Sequence, residues 1–232
     1  MREIIFDTET TGFDPKTGDR LVEIGCVELI DRRETGVTFH AYFNPERDMP
    51  AAAEAVHGLS IQFLSDKPLF ASRVDELLEF FGDAPLIAHN AAFDFGFVNA
   101  ELARIGRPAL DMARMCCTVQ MARKLHPGAK HSLDALCTRY GIDRSHRVKH
   151  GALLDAELLA HLYIEMTGGR QIGLGLAASA AATVSPEAGP VIPRGPARPF
   201  REPRPHMASA AELARHAEFV AGLNQPLWLD TV

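Results

Sequence analysis

The order in which hydrophobic periodicities follow one another constrains the fold of this chain more than any other feature. Apolar residues alternate with a period of two in three successive segments, 3–7, 21–29 and 37–43, which predicts an antiparallel meander of three strands. Beyond residue 70, short apolar strands alternate with segments of helical period. Helices are predicted at 74–81, 92–105, 132–140 and 151–166, and strands at 85–88 and 112–117. This order indicates an α/β fold, with a mixed sheet flanked by helices.

The character of the chain changes after Gly168 and Gly169. Residues 185–206 contain seven prolines with four arginines between them, which is the composition of an extended, solvated linker. Helical spacing returns at 208–223 and is followed by the only tryptophan, Trp228. We therefore expect three parts: a folded domain over 1–168, a flexible linker over 169–207, and a C-terminal segment over 208–232 that carries a short helix.

The composition is that of a globular chain, with 47% hydrophobic and 23% charged residues. No stretch reaches the roughly 20 apolar residues of a membrane helix, and residues 1–3 lead directly into a strand pattern, so neither membrane association nor a signal peptide is predicted. The four cysteines form no C-x-x-C pair, which favours a reduced, cytoplasmic compartment. The net charge of −6 argues against binding nucleic acid by bulk charge, although residues 123–149 form a local basic stripe that could contact a phosphate backbone weakly.

Four acidic residues interrupt apolar faces near the ends of predicted elements. Asp7 and Glu9 lie two apart in the first strand, so their side chains share a face. Asp94 begins a predicted helix, and Asp155 lies on the buried stripe of another, with no Lys or Arg within two helical turns on that face. An unpaired buried carboxylate costs several kcal/mol, so Asp155 needs a cationic partner or a proton. Each acid alone could be a turn residue, a helix-terminal acid or an acid satisfied by the backbone.

Taken together, the four acids indicate a metal site. Carboxylates that converge without a cation repel one another strongly in a low-dielectric site. Hard oxygen ligands suit Mg²⁺ or Mn²⁺, and two such ions about 3.5–4 Å apart are the usual device for hydrolysing a phosphodiester. His150 lies five residues before Asp155, near the helix N-terminus, from where an imidazole could accept a proton from water. A lone histidine at this position could equally be an ordinary surface residue.

Three motifs carry a resemblance to a known family. They are Asp-Thr-Glu-Thr-Thr-Gly at 7–12, His-Asn-Ala-Ala-Phe-Asp at 89–94 and His-Gly-Ala-Leu-Leu-Asp at 150–155. In this order and spacing the chain resembles the DEDDh exonucleases over residues 1–168. The resemblance implies a ribonuclease H-like fold and stepwise hydrolysis from the 3′ end that releases nucleoside 5′-monophosphates. It further implies that His150 is the general base and that two metal ions are bound by Asp7, Glu9, Asp94 and Asp155.

Further segments are similar to one branch of this family, the proofreading (epsilon) subunits of bacterial DNA polymerase III. These segments are 56–59, 122–128, 132–136 and 166–169. The similarity implies that His57 contacts the terminal nucleotide and that Phe93 lies near its base. The implied substrate contacts are then Asp7, Glu9, His57, Phe93 and Asp155. For His57, a turn histidine satisfied within the protein is the alternative.

The C-terminal tail also shows features of epsilon subunits. Gln171, Leu174 and Leu176 fit the short Gln-x-x-Leu-x-Leu pattern that docks on the bacterial beta sliding clamp. An aromatic anchor on a tether is typical of an interface, so Trp228 and the preceding helix are expected to bind the alpha subunit of the polymerase, as this end does in epsilon subunits. The alternative is that the terminal helix folds back on its own domain.

Three functions therefore remain open from the sequence. The first is a proofreading 3′–5′ DNA exonuclease subunit, and the second is a free-standing exonuclease of the same chemistry that acts on RNA or DNA ends. The third is a non-catalytic scaffold that binds the polymerase. The linker and the apolar tail favour the first over the second, and the complete set of acids with His150 argues against the third.

Overall fold

The computed structural model describes residues 1–145, 147, 149–168 and 207–223. Its strands are β1 (Arg2–Thr10), β2 (Leu21–Ile30), β3 (Arg33–Tyr42), β4 (Leu86–Ala88) and β5 (Met115–Cys117). Its helices are α1 (Ala51–His57), α2 (Ile61–Leu64), α3 (Phe70–Phe81), α4 (Ala92–Arg104), α5 (Thr118–Leu125), α6 (Leu133–Tyr140), α7 (Ala152–Met166) and α8 (Ala210–Ala221). These residues fall into two units, 1–168 and 207–223, which we describe separately.

The first unit contains a mixed five-stranded sheet with the order β3-β2-β1-β4-β5. β1 pairs antiparallel with β2, and β2 with β3, so the predicted meander is confirmed. β4 pairs parallel with β1, and β5 with β4. The β2–β3 hairpin turns through Asp31 and Arg32, both with positive φ, as the two-residue turn that matches strand twist requires. The expected fold class, a mixed sheet flanked by helices, is confirmed.

Helices cover both faces of the sheet, so the central strand β1 is buried on two sides. Phe6 packs edge-to-face against Phe81 of α3 and Phe95 of α4, in the core on one face. Ile5 points the other way and belongs to the core built by α7 and its neighbours. The period-two alternation predicted for β1 therefore separates two hydrophobic cores rather than a core and a solvated face.

One close approach sets the position of α7 on the sheet. Gly25 of β2 lies opposite Asp7 of β1, and a Cβ atom built on Gly25 would lie 2.2 Å from the backbone nitrogen of Leu153. Only a residue without a side chain allows the first turn of α7 to pack so closely. The start of α7 therefore lies directly over the part of β1 that carries Asp7.

Several predicted boundaries are corrected by the structure. The predicted strand at 112–117 is wrong over its first half, because the Asp111 side chain caps a 3₁₀ turn at Met112–Arg114 and only Met115–Cys117 pairs with β4. Helices α1, α2 and α5 were not predicted. β1 continues to Thr10, so Asp7 and Glu9 lie within the strand rather than at its end. The predicted cap of α6, Ser132, is confirmed.

In the second unit, α8 lies inside the predicted helical segment 208–223 and begins with a capping box between Ser209 and Glu212. The linker sequence up to residue 206, the clamp-like motif at 171–176 and Trp228 lie outside the described residues. Across the part of the chain that the structure describes, no helix has the length and apolarity to cross a membrane. All four cysteines are free thiols.

Candidate active site

The predicted acids converge where β1, α4 and α7 meet. Asp7 and Glu9 continue the face of β1 on which Ile5 packs towards α7. Asp155 lies in the first turn of α7 and is almost fully buried. Because Gly25 brings that turn onto the sheet beside Asp7, residues almost 150 positions apart in sequence contribute carboxylates to one cleft.

Asp94 approaches the carboxylate cleft from the opposite face of β1, the face to which Thr8 points. It lies in the first turn of α4 and is buried, and its Oδ1 accepts a hydrogen bond of 2.8 Å from the Thr8 hydroxyl. Thr8 alternates with Asp7 and Glu9, so it points to the opposite face of the strand, as the spacing predicted. The chain enters α4 through Asn90, whose positive φ of 65° is a backbone conformation that asparagine tolerates better than most residues.

His150 lies beside Asp155. Its Nδ1 is 3.2 Å from Oδ2 of Asp155, and its side chain is 48% exposed. Glu9, His150 and Asp155 each offer one ligand atom, and these three atoms all lie within 4.8 Å of one another. The backbone N–H of His150 also donates to the carbonyl of Val56, one residue before His57. The loop that carries His150 is thereby connected to the end of α1.

Asp155 has a cationic partner that the sequence interpretation missed. The Nε of Arg147 donates to Oδ1 of Asp155 at 2.5 Å, and Nη2 donates to Oδ2 at 2.7 Å. The helical pattern of α7 does not reveal this partner, because Arg147 lies in the loop before the helix. A buried carboxylate needs a counter-charge, and this arginine supplies one.

Clustering raises the pKa values of the acids. Burial, followed by the charges of Asp94, Glu9, Asp155 and Glu23, raises the pKa of Asp7 well above its ordinary value. Burial, followed by the charges of Glu23 and Asp155, raises the pKa of Glu9 to about 8. Burial raises the pKa of Asp94 to about 7, against the effect of its hydrogen bonds from Thr8 and from backbone amides. The cleft therefore holds more negative charge than its surroundings stabilise without a further cation.

Glu23 is a further acid that the sequence analysis missed. It lies directly opposite Glu9 in the β1–β2 register and is buried, with its Oε1 2.7 Å from Nε2 of His40. The register of the predicted β1–β2 pair could have revealed it, because cross-strand partners on one face lie close together. Its charge is one cause of the raised pKa of Glu9.

An apolar pocket of about 460 Å³ opens beside the acids. Its lining includes Thr8, Glu9, Phe13, Val56, His57 and Phe93. The His57 side chain is buried; its Nδ1 accepts a hydrogen bond from the backbone N–H of Leu59, whereas its Nε2 has no hydrogen-bond partner among the described residues. Phe13, which the sequence analysis did not single out, is 89% exposed and belongs to the lining of this pocket. A larger concavity of about 840 Å³, lined by residues such as Tyr140 and Glu165, contains none of the predicted site residues.

An exonuclease family model matches residues 4–163. The chain belongs to this exonuclease family. It is 53% identical over 174 residues to the DNA polymerase III subunit epsilon of Rickettsia felis, covering 74% of this chain and 76% of that protein. It is 46% identical over 176 residues to the DNA polymerase III subunit epsilon of Escherichia coli K12, covering 73% of this chain and 72% of that protein.

Solved structures agree with this assignment. Exonuclease X in complex with 5′ overhanging duplex DNA superposes with a TM-score of 0.55 at 26% identity, covering 71% of this chain and 90% of that one. The nuclease domain of 3′hExo, a DEDDh family member bound to rAMP, gives a TM-score of 0.63 at 16% identity and covers 72% and 91%, which supports the fold alone. The ribonuclease H-like fold is confirmed. The protein is a metal-dependent 3′–5′ exonuclease with a proofreading function, and the scaffold hypothesis is set aside.

Proposed function

We propose that this exonuclease is the proofreading subunit of a bacterial replicative DNA polymerase III and removes mispaired nucleotides from the 3′ end of DNA as nucleoside 5′-monophosphates. The observation that carries the proposal is that Glu9, His150 and Asp155 bring three possible ligand atoms within 4.8 Å of one another beside an apolar pocket, in a chain about half identical to epsilon subunits. A replication enzyme works in the cytoplasm, and four free thiols suit that compartment.

The residues of the cleft fit divalent metal ions. Three of the four carboxylates have raised pKa values, so a cation that binds them relieves repulsion as well as desolvation. An all-carboxylate ligand set suits Mg²⁺ or Mn²⁺. The proposed ligands are Asp7, Glu9, Asp94 and Asp155. When bound, two such ions would stabilise charge on the phosphate and lower the pKa of the attacking water.

His150 is proposed as the general base. Its imidazole is half exposed, so water and substrate can reach it, and it lies 3.2 Å from Asp155, which can orient the ring. A histidine titrates near neutral pH and can accept the proton that water loses as it attacks the phosphate. We assign it no role as a metal ligand.

The apolar pocket is proposed to hold the terminal nucleotide. The unpartnered Nε2 of His57 carries the proton, because Nδ1 accepts a hydrogen bond from Leu59. A buried N–H without a partner is costly, and a sugar or phosphate oxygen of the substrate would satisfy it. The rings of Phe93 and Phe13 line the pocket and could stack on a base. Asp7, Glu9 and Asp155 would contact the scissile phosphate through the metal ions.

The tail is proposed to join the exonuclease to the replication machinery. Gln171, Leu174 and Leu176 would bind the beta sliding clamp, and the terminal segment with Trp228 would bind the alpha subunit. The support is the sequence pattern together with α8, whose exposed Leu213 and Phe219 give the described helix apolar side chains to bury.

Digestion of a 5′-labelled primer with one mismatched 3′ nucleotide, annealed to a template, tests the proposed activity. With Mg²⁺ or Mn²⁺ the full chain should shorten the primer stepwise from its 3′ end, faster than it shortens a matched primer, and EDTA should stop the reaction. Internal cleavage, or equal rates on the two primers, would contradict a proofreading role. Co-purification with the polymerase alpha subunit separates the subunit from a free-standing exonuclease.

A further inference from the structure

The guanidinium of Arg147 lies on the ligand atoms of the proposed metal site. Its Nε and Nη2 donate to the two carboxylate oxygens of Asp155, at 2.5 and 2.7 Å. The same Nη2 is 2.8 Å from Nδ1 of His150. The third nitrogen, Nη1, donates to Oδ1 of Asp134 at 3.0 Å. All three guanidinium nitrogens are engaged, and only 9% of the side chain is exposed.

This contact and metal binding compete for Asp155. A bidentate arginine takes one lone pair on each oxygen of the carboxylate, so a divalent cation must either displace it or bind the remaining lone pairs close to a fixed positive charge. The positive charge also opposes the approach of a second cation. The charge of Arg147 also opposes the rise in the pKa of Glu9, in line with a guanidinium close to the carboxylate cluster as a whole.

We propose that Arg147 is an exchangeable counter-cation: it holds Asp155 and His150 in the metal-free enzyme and leaves Asp155 when metal binds. The inference deepens the proposed function and rests on its metal site. Arg147 is a positioning residue in this account, because it acts through Asp155 and His150.

Asp134 gives Arg147 an ion-pair partner that it keeps after it leaves Asp155. Its side chain on α6 is 47% exposed, and it lies outside the carboxylate cluster. When Asp155 is taken by metal, Arg147 keeps Asp134 as an ion-pair partner and can rotate towards solvent, so no buried charge is left unpaired.

The same exchange couples His150 to the metal site. Nη2 of Arg147 lies 2.8 Å from Nδ1 and 3.2 Å from Nε2 of His150, and while it donates to Nδ1 that nitrogen carries no proton and cannot donate to Asp155. Once Arg147 has moved, Nδ1 is free to carry the proton and to donate to Asp155, 3.2 Å away. The other nitrogen, Nε2, is then the one available as a base.

Calorimetric titration of the metal-free full chain with Mn²⁺ tests the exchange. In Arg147→Gln the competing cation is gone, so Mn²⁺ should bind with a Kd about tenfold lower than in the wild type. Arg144→Gln is the matched control, because Arg144 pairs with the same oxygen of Asp134, at 2.9 Å, and has no contact with Asp155 among its ion pairs. Its Kd should stay within about twofold of the wild-type value.

A second measurement reports on the metal-free state. In EDTA, Arg147→Gln should melt at a lower temperature than the wild type, because Asp155 loses its counter-charge, and Mn²⁺ should reverse the difference. Arg147→Lys keeps the charge but not the bidentate geometry, so its Kd should lie between those of the wild type and Arg147→Gln.

Weaker Mn²⁺ binding in Arg147→Gln would overturn the proposal, because that is the result expected if Arg147 only holds the loop in place. An unchanged Kd, or the same gain in Arg144→Gln, would overturn it as well. Asp7→Asn separates this failure from a failure of the metal site. If Asp7→Asn abolishes Mn²⁺ binding while Arg147→Gln leaves the Kd unchanged, the metal site stands and only the exchange is wrong.

Discussion

At the scale of residues, the cleft is a concentration of charge that the fold alone does not neutralise. Asp7, Glu9 and Asp94 all have pKa values raised by burial, and Glu23 adds a further negative charge behind Glu9. Arg147 offsets only part of this, because its hydrogen bonds go to Asp155 and Asp134. The rest of the fold keeps these repelling acids close together, and cations that bind them would increase the free energy of unfolding.

Asp7→Asn should abolish hydrolysis and stabilise the metal-free protein. Burial and the neighbouring carboxylates raise the pKa of Asp7 well above its ordinary value, so this group destabilises the fold increasingly as pH rises above about 4, its pKa in the unfolded chain. In EDTA the variant should therefore melt above the wild type at pH 8, and the gap should narrow at pH 5.5. Thermal unfolding followed by circular dichroism measures both values. Substantial Mg²⁺-dependent activity in the variant would refute the assigned metal site.

His150→Ala should lower kcat by roughly 10²–10⁴, the usual contribution of a general base. Mn²⁺ affinity should change little, because the imidazole is not among the proposed ligands. Steady-state digestion of a labelled oligonucleotide and calorimetry measure the two quantities, with Asp155→Ala as the comparison. If both variants lose Mn²⁺ equally, His150 is a ligand and the assignment as a base is wrong.

At the scale of elements, the packing of α7 on β2 determines whether the acids meet. Asp155 comes from the first turn of α7, and that turn lies against Gly25, whose neighbour across the strands is Asp7. Most of α7 is buried, so the helix is held along its length. A small displacement of this one helix would move Asp155 relative to the carboxylates on β1.

Gly25→Ala tests this dependence. The added Cβ would lie 2.2 Å from the backbone of Leu153, and backbone cannot move aside as a flexible side chain can. We expect activity to fall by about 10²-fold, because a shift of about 1 Å at a catalytic group has that effect, and the melting temperature to fall as well.

Gly96→Ala is the matched control for this variant. Gly96 lies in α4 with nothing within 4 Å of an added Cβ, so the substitution should leave activity unchanged and stabilise the helix by about 0.5–1 kcal/mol. Full activity in Gly25→Ala would show that α7 can adjust without disturbing the site.

At the scale of the whole molecule, an acidic chain acts on an acidic substrate. With a net charge of −6, the protein should bind free DNA weakly and with strong sensitivity to salt. Tethering to the polymerase through the proposed tail contacts would compensate, since it would raise the effective concentration of the primer end to about the millimolar range. The tail matters in this account because the exonuclease domain lacks the charge to hold DNA by itself.

A chain truncated after Gly168 should digest free single strands about as well as the full chain, but it should fail to co-purify with the polymerase alpha subunit. Trp228→Ala in the full chain should reproduce much of the binding defect, because it removes the largest apolar anchor of the tail. Pull-down and digestion assays on the same preparations measure both properties. Full-strength polymerase binding by the truncated chain would place the partner surface on the exonuclease domain.

Much of the fold and most of the candidate site could be predicted because their signals are local in the chain. The alternation in β1, the cap at Ser132 and the spacing of Asp7 and Glu9 are each readable within a few residues. The helices α1, α2 and α5 were missed because they have only seven, four and eight residues, so that any periodic pattern covers at most about two turns. The 3₁₀ turn at Met112–Arg114 was missed because a strand-like composition does not reveal a side-chain cap.

By itself, the sequence predicted the five strands, five of the eight described α-helices, the acids and the histidine proposed to carry the chemistry, and the family to which the chain belongs. Tertiary structure decided the partners of those residues: Arg147 pairs with Asp155, and the Thr8 hydroxyl donates to Asp94. It also left the buried Nε2 of His57 without a hydrogen-bond partner among the described residues. The physical reason is that periodicity and motif spacing act over a few residues. Ion pairs, pKa values and a pocket depend instead on which segments the sheet and its helices bring within a few ångströms of one another.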